Sequence, residues 1–150
     1  MKKIVSLFTT LLVVAFTFTA QAEDKKTTAE NLVKAAIAHY KEAGQEKAFA
    51  DFSVKGGEFN HGEFYVFIQS VASNELVYHG ANVKLIGKNL MALKDPTGKE
   101  FVKEFTVNTK ANGTAWTEYQ WVPPETKKIA PKVAYSELYN DLIFVVGYYK

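Results

Sequence analysis

The stretch TAWTEYQWVPPETKKIAPKVAYSELYNDLIFVVGYY, residues 114–149, decides the fold of this chain. It contains three runs that are dense in β-branched and aromatic residues, at 114–122, 128–137 and 142–149, and this composition is typical of strands. The prolines within 122–127 predict a hairpin loop between the first two runs. Because the three runs follow one another directly, the C-terminal part is predicted to be an antiparallel meander.

A further pair of strands is predicted upstream of this meander. Residues 64–71 (FYVFIQSV) are again β-branched and aromatic, and residues 76–79 (LVYH) form a short partner strand after a turn. A helix is then expected to begin at Thr97, because Thr97 and Glu100 have the spacing of a capping box. The Asn-Gly pair at 112–113 is the expected end of that helix.

A long amphipathic helix is predicted before the strands. Thr27 and Glu30 form another capping box, and apolar residues recur at helical spacing after it. We expect this helix to kink at Gly44 and to run on to about Phe52. The order of helix, hairpin, helix and meander predicts an α+β fold, in which the long helix covers one face of an antiparallel sheet of about five strands and loops cover the other.

Residues 1–22 are predicted to be a signal peptide rather than part of the fold. Two lysines precede an uncharged, mostly apolar segment that ends in an A-x-A pattern, so cleavage is expected after Ala22. The segment is shorter than the roughly 20 apolar residues of a spanning helix, and an uncleaved anchor is the alternative interpretation. The mature domain is then residues 23–150, and its expected compartment is the periplasm.

The composition excludes several kinds of site and partner. The chain has no cysteine and all 18 basic residues are lysines, which excludes disulfides, thiolate zinc sites and guanidinium clamps. Removing the two lysines of the signal peptide leaves 16 lysines and 16 acidic residues, so nucleic acid is not an expected partner. Catalytic and phosphate-binding motifs are absent and the histidines are dispersed, so we expect no enzyme activity, no cofactor and no metal site.

The order of the motifs between residues 64 and 149 resembles a known family. The motifs are the strand 64–67, the strand 76–79 with His79 at its end, the GKNL…LKDPTGK segment at 87–99, the aromatic hairpin of Trp116, Tyr119, Trp121 and Pro124, and the strand of Lys132 and Tyr135. In this order they resemble the single Cache domain, second single-Cache subfamily, an extracytoplasmic sensor module. Two features depart from the family pattern: Gly80 replaces a proline, and the last strand keeps one glycine of two.

This resemblance implies a PAS-like five-stranded antiparallel sheet with the long N-terminal helix on one face and a ligand pocket under loops on the other. It also implies a domain that binds a small organic molecule, commonly a short carboxylate, without catalysis. The chain would be a free-standing secreted member that passes its signal to a separate membrane receptor. The alternative is a structural or interaction protein with a vestigial pocket, which forms a homodimer through its N-terminal helix.

Aromatic residues are the first candidates for the ligand pocket. Tyr119 and Trp121 lie two apart in a predicted strand and so share a face, which the resemblance identifies as a pocket wall. Trp116 is expected on the opposite face of the sheet. Tyr65 and Phe67 share a face of the first strand in the same way. For the four pocket candidates, ordinary core and cross-strand packing is the competing interpretation.

Polar residues complete the predicted site. His79 ends a short strand at a loop, where an imidazole can hydrogen-bond a carboxylate. Lys132 would be the main charge partner of an anionic ligand in a chain without arginine. A regular strand places Lys132 and Tyr135 on opposite faces, and a bulge beside Pro131 would bring them together. A satisfied structural histidine and a solvated lysine are the competing interpretations.

Overall fold

The computed structural model describes the backbone of residues 16–150 and the side chains of residues 22–150. Residues 1–15, most of the predicted signal peptide, lie outside the described residues. Within the described part of the chain, no helix is both long enough and apolar enough to cross a membrane.

Two consecutive helices form the N-terminal layer, α1 (Phe16–Ala43) and α2 (Gln45–Phe52). Gly44 separates them with a φ of 81°, a left-handed conformation that glycine adopts at little cost. The predicted kink and the predicted end of the second segment are therefore confirmed. The predicted N-cap at Thr27 is wrong, because α1 begins before that residue and continues through it.

Six strands form one antiparallel sheet. They are β1 (Asn60–His61), β2 (Phe64–Ser70), β3 (Leu76–His79), β4 (Thr114–Trp121), β5 (Ala130–Tyr139) and β6 (Leu142–Tyr149). Their order is β1–β2–β6–β5–β4, and β3 also pairs with β2. The predicted α+β fold is confirmed, and the two-residue β1 is the strand beyond the expected five.

The third helix, α3 (Phe101–Asn112), precedes β4. Its predicted start at Thr97 is wrong, because Thr97 belongs to a turn outside the helix. In that turn the Asp95 carboxylate accepts hydrogen bonds from the backbone N–H groups of Thr97 and Lys99. The predicted end of the helix is confirmed, since Gly113 follows it with a φ of 82° and donates its N–H to the last turn.

The two faces of the sheet bury different layers, because successive residues of a strand point to opposite sides. On one side, which we call the helix face, α1 and α2 bury an apolar stripe against β2, β5 and β6. The stripe consists of Ala29, Leu32, Val33, Ala36, Ile37, Ala48 and Phe52. On the other side, which we call the loop face, α3 and the segment between β3 and α3 cover residues that include Phe67, Ile143 and Val145.

Candidate functional site

Polar side chains on neighbouring strands form a row across the loop face. Tyr119 on β4 pairs with Lys132 on β5, and Lys132 pairs in turn with Tyr149 on β6. On the next strand, β2, Tyr65 is buried on the same face. The pairings of β4 with β5 and of β5 with β6 contain no register shift. Because paired residues of neighbouring strands point to the same face of a sheet, all these side chains lie under α3 and the loops.

Lys132 is only 1% exposed although it carries an amine. Its side chain passes over Gly147, where an added Cβ atom would lie 2.5 Å from Lys132 Cε. Its Nζ donates a 2.7 Å hydrogen bond to the hydroxyl oxygen of Tyr65. The ring centroids of Tyr65 and Tyr149 lie 4.2 Å and 5.2 Å from Nζ, so aromatic faces surround the amine.

The charge of Lys132 has no close counter-ion. Burial lowers the pKa of Lys132 to about 7, because the ammonium form loses its hydration. Glu63 opposes this lowering of the pKa, but its carboxylate pairs with Lys25 at 2.7 Å and accepts the N–H of Tyr149. Among the described residues, no carboxylate lies within salt-bridge distance of Lys132. The amine therefore changes its charge near neutral pH.

His79, at the end of β3, is held in one tautomer. Its Nδ1 accepts hydrogen bonds from the backbone N–H groups of Ala81 and Asn82, at 3.2 Å and 2.9 Å. The proton of the neutral ring is therefore on Nε2. Burial lowers the pKa of His79 to about 3, and the positive charge of Lys132 adds to this effect. The imidazole, which stacks on Phe67 with centroids 5.5 Å apart, is thus a neutral donor at physiological pH.

An aromatic wall stands beside these polar groups. The rings of Tyr119 and Phe101 stack with centroids 4.2 Å apart and planes 6° from parallel, and Trp121 meets the edge of Tyr119 at 6.4 Å. Burial raises the pKa of Tyr119, so its hydroxyl keeps its proton. The predicted shared face of Tyr119 and Trp121 is confirmed, and Trp116 points to the helix face, where it packs on Tyr135.

Two adjoining hollows lie on the loop face. The smaller hollow has a volume of about 20 Å³, and the larger is an open cleft of about 340 Å³. The residues that border both are Tyr65, His79, Leu85 and Trp121. Phe67 and Tyr119 border the smaller hollow and not the open cleft. Since a water molecule needs roughly 10–15 Å³ of such volume, the smaller hollow holds about one water, and of these two hollows the open cleft is the one with room for an organic ligand.

The structure does not bring two of the predicted residues to these hollows. The expected place of Tyr135 in the site is corrected, because β5 pairs with both neighbours without the bulge that would have turned it. Tyr135 lies on the helix face, and its hydroxyl donates to Glu137 at 3.0 Å. Lys132 is on the loop face but borders neither hollow, and it is connected to them through its hydrogen bond to Tyr65. It borders instead a separate cleft of about 210 Å³ beside β4 and β5.

Sequence reasoning did not identify Asn82 and Lys127, which border the open cleft. Asn82 precedes a short 3-10 turn and accepts the N–H of Lys84 at 3.1 Å. Lys127 lies in the loop between β4 and β5 with a φ of 55°. Strand periodicity does not reach loop residues, and the only available signal was that both loops adjoin strands of the predicted site.

The arrangement can donate hydrogen bonds and supply positive charge. The cleft offers the hydroxyl of Tyr65, the indole of Trp121 and the Nε2–H of His79, with the ammonium of Lys127 at its mouth. Of the residues whose side chains are described, no aspartate or glutamate borders either hollow. Across the described residues, no cluster of three histidine, aspartate or glutamate side chains could hold a metal ion. These groups suit a ligand that accepts hydrogen bonds and carries negative charge.

A protein family, a curated relative and several solved structures are similar to this chain. The single Cache domain 2 family matches residues 17–149. The methyl-accepting chemotaxis protein McpP of Pseudomonas putida is 24% identical over 107 residues, which are 71% of this chain and 19% of that protein. The chain thus spans about a fifth of the length of that relative.

Three solved structures have the same fold. The periplasmic sensor domain of a chemotaxis protein is 21% identical with a TM-score of 0.64, and the match covers 91% of this chain and 99% of that one. A methyl-accepting chemotaxis protein from Vibrio parahaemolyticus is 18% identical with a TM-score of 0.73, over 87% and 92%. A Cache chemosensory domain, solved for the structural basis of its carboxylic acid recognition, is 21% identical with a TM-score of 0.64, over 88% and 95%.

Proposed function

Because this chain belongs to the single Cache domain 2 family, we propose that it is a periplasmic sensor-type domain that binds a small carboxylate without catalysis. The mature domain in this proposal is residues 23–150, released by cleavage after Ala22. The similarity to chemotaxis proteins, and to a Cache chemosensory domain that recognises a carboxylic acid, supports this proposal. The ligand class rests on the geometry of this chain.

The ligand class is supported by the kinds of polar group that line the open cleft. Its side chains offer donors and a cation, the acceptor oxygens of Asn82 and Tyr65 already bind the Lys84 N–H and Lys132 Nζ, and no acidic side chain of the described residues borders it. His79 is fixed as an Nε2–H donor, because its Nδ1 is occupied by two backbone N–H groups. A carboxylate matches such a site because it only accepts hydrogen bonds and carries the opposite charge.

The size of the hollows limits where the ligand sits. The smaller hollow of about 20 Å³ does not admit a carboxylate, whereas the cleft of about 340 Å³ admits acids of two to four carbons. We place the carboxylate against Tyr65 and His79, and the alkyl part against Leu85 and Trp121. Lys132 then acts on the ligand through Tyr65 rather than by direct contact.

The second candidate function is a structural or interaction protein with a vestigial pocket. One observation favours it, namely that the smaller hollow leaves a volume of only about 20 Å³. The helical dimer of that candidate would need a surface other than the apolar stripe of α1, because the described part of this stripe is buried against the sheet of its own domain.

A thermal-shift experiment with matched ligands distinguishes the two candidates. The protein is heated with acetate, propionate and butyrate, and separately with acetamide, propionamide and butyramide, which have the same shape without the charge. A ligand at about 100 times its Kd adds about 2.7 kcal/mol to the native state, so we expect the melting temperature to rise by several degrees with at least one acid and not with its amide.

Two variants control this experiment. Trp121→Phe alters the wall of the cleft, whereas Trp116→Phe makes the same change on the helix face. The proposal predicts that the response to the acid is reduced in Trp121→Phe and retained in Trp116→Phe. No shift with any of the acids, or an equal shift with acid and amide, would contradict carboxylate binding.

A further inference from the structure

Because the amine of Lys132 is buried, its protonation state can depend on whether a ligand is bound, unlike that of an exposed lysine. We propose that the domain takes up one proton when it binds a carboxylate, and that the Nζ of Lys132 receives that proton. This inference rests on the proposed function. It follows from the position of an amine that is 1% exposed and hydrogen-bonded to a tyrosine of the cleft.

The hydrogen bond between Lys132 and Tyr65 links the amine to the ligand. Nζ is the donor and the hydroxyl oxygen of Tyr65 is the acceptor, at 2.7 Å. The proton of the Tyr65 hydroxyl then has two available acceptors, a carboxylate in the cleft that Tyr65 borders and the neighbouring hydroxyl oxygen of Tyr149. A single hydroxyl then separates the anion from the amine, and hydrogen bonds in such a chain strengthen one another. The anion favours the ammonium form of Lys132.

Four titratable groups near Lys132, on β2, β3, β4 and β6, keep their charge state near neutral pH. Burial raises the pKa of Tyr65 on β2 and of Tyr119 on β4. Burial also raises the pKa of Tyr149 on β6 to about 12. On β3, burial lowers the pKa of His79 to about 3. Of these residues and Lys132, only Lys132 exchanges a proton between about pH 5 and pH 9.

The charged groups at the margin of the row are already paired. Glu63, before β2, holds Lys25. In the separate cleft that Lys132 borders, Asp95 accepts backbone N–H groups, Lys99 pairs with Glu104 at 3.0 Å, and Glu118 pairs with Lys150 at 2.8 Å. These contacts occupy the carboxylates around the row, so a bound anion is the available counter-charge for Lys132.

The direction of the pH dependence follows from this geometry. In the free protein burial lowers the pKa of Lys132 to about 7, so the amine is mostly neutral above that pH. The bound carboxylate raises the pKa of the amine, and binding above pH 7 therefore consumes a proton from solvent. The affinity is constant below pH 7 and falls about tenfold for each pH unit between there and the pKa that the amine has in the complex. Between about pH 6 and pH 9 the expected loss is roughly 100-fold.

Calorimetry measures the proton directly. Acetate, propionate and butyrate are titrated into the protein at about pH 6 and about pH 8.5, each in phosphate and in Tris, which have different ionisation enthalpies. The dependence of the binding enthalpy on the buffer gives the number of protons taken up. We expect a value near zero at pH 6 and near one at pH 8.5. Binding without proton uptake at pH 8.5 overturns the inference and leaves the proposed function standing.

Variants and a ligand-free measurement complete the test. Lys132→Met should abolish proton uptake at pH 8.5, whereas Lys110→Met, at an exposed position of α3, should leave it unchanged.

Independently, NMR of the lysine ε-carbons of the unliganded protein should show one lysine that titrates near pH 7. Titration of every lysine above about pH 9 overturns the inference even if Lys132→Met does not fold. Absence of binding at both pH values overturns the proposed function and the inference together.

Discussion

At the scale of single residues, the site depends on how close Lys132 comes to the backbone of β6. The lysine crosses Gly147, where a Cβ atom would lie 2.5 Å from Lys132 Cε and 2.9 Å from the carbonyl oxygen of Val133. Carbon atoms in contact prefer separations of about 3.5–4.0 Å. The glycine therefore permits the path by which the amine reaches Tyr65.

We predict that Gly147→Ala destabilises the protein by about 1–3 kcal/mol, as overpacking of a dense interior does. Shortening the lysine in the double variant Gly147→Ala, Lys132→Ala removes the contact with Cε but keeps the contact with the Val133 carbonyl. Part of the lost stability should therefore return relative to the sum of the two single variants. Urea unfolding of the four proteins measures this coupling, and strictly additive effects would contradict the close approach.

At the scale of elements, the turn before α3 connects a loop to the sheet. One oxygen of Asp95 accepts the N–H groups of Thr97 and Lys99, at 2.8 Å and 3.1 Å. The other oxygen accepts the N–H of Gln120 on β4 at 2.9 Å. The Thr97 hydroxyl and these N–H groups lower the pKa of Asp95 to about 2. This carboxylate thereby fixes the segment before α3 against the strand that carries Tyr119.

We predict that Asp95→Ala lowers the melting temperature by several degrees, because three backbone N–H groups lose their acceptor. Asp95→Asn should lose less, since an amide oxygen still accepts hydrogen bonds. Glu100→Ala is the matched control, and it should change the melting temperature little because Glu100 makes only a surface ion pair with Lys103. A larger effect at Glu100 than at Asp95 would support a capping box and contradict this structure.

The same turn shows which parts of the fold were predictable from the sequence. Side-chain alternation identified the shared faces of Tyr119 with Trp121 and of Tyr65 with Phe67, because a strand fixes this geometry locally. The capping box at Thr97 was wrong because Asp95 accepts the Thr97 N–H that Glu100 would accept in a capping box, which spacing alone does not reveal. The face of Tyr135 depended on the presence of a bulge, which only the register of β5 decides.

At the scale of the whole molecule, the two faces of the sheet have different roles. The helix face is closed by α1 and α2, whose apolar stripe fills it. The loop face contains a nearly filled interior and an open cleft of about 340 Å³. The family and the fold were predictable because they depend on motif order along the chain. The volume of the cleft was not, because it depends on how loop side chains such as Leu85 pack.

The two tryptophans of the chain allow a direct test of the proposed site, because Trp121 borders the cleft and Trp116 packs on the helix face. The measurement is the NMR spectrum of the two indole N–H groups during a titration with propionate at about pH 6. A carboxylate in the cleft should shift the Trp121 resonance in a saturable manner and leave the Trp116 resonance in place. Two unmoved resonances at saturating propionate, or movement of Trp116 alone, would contradict the site described for this domain.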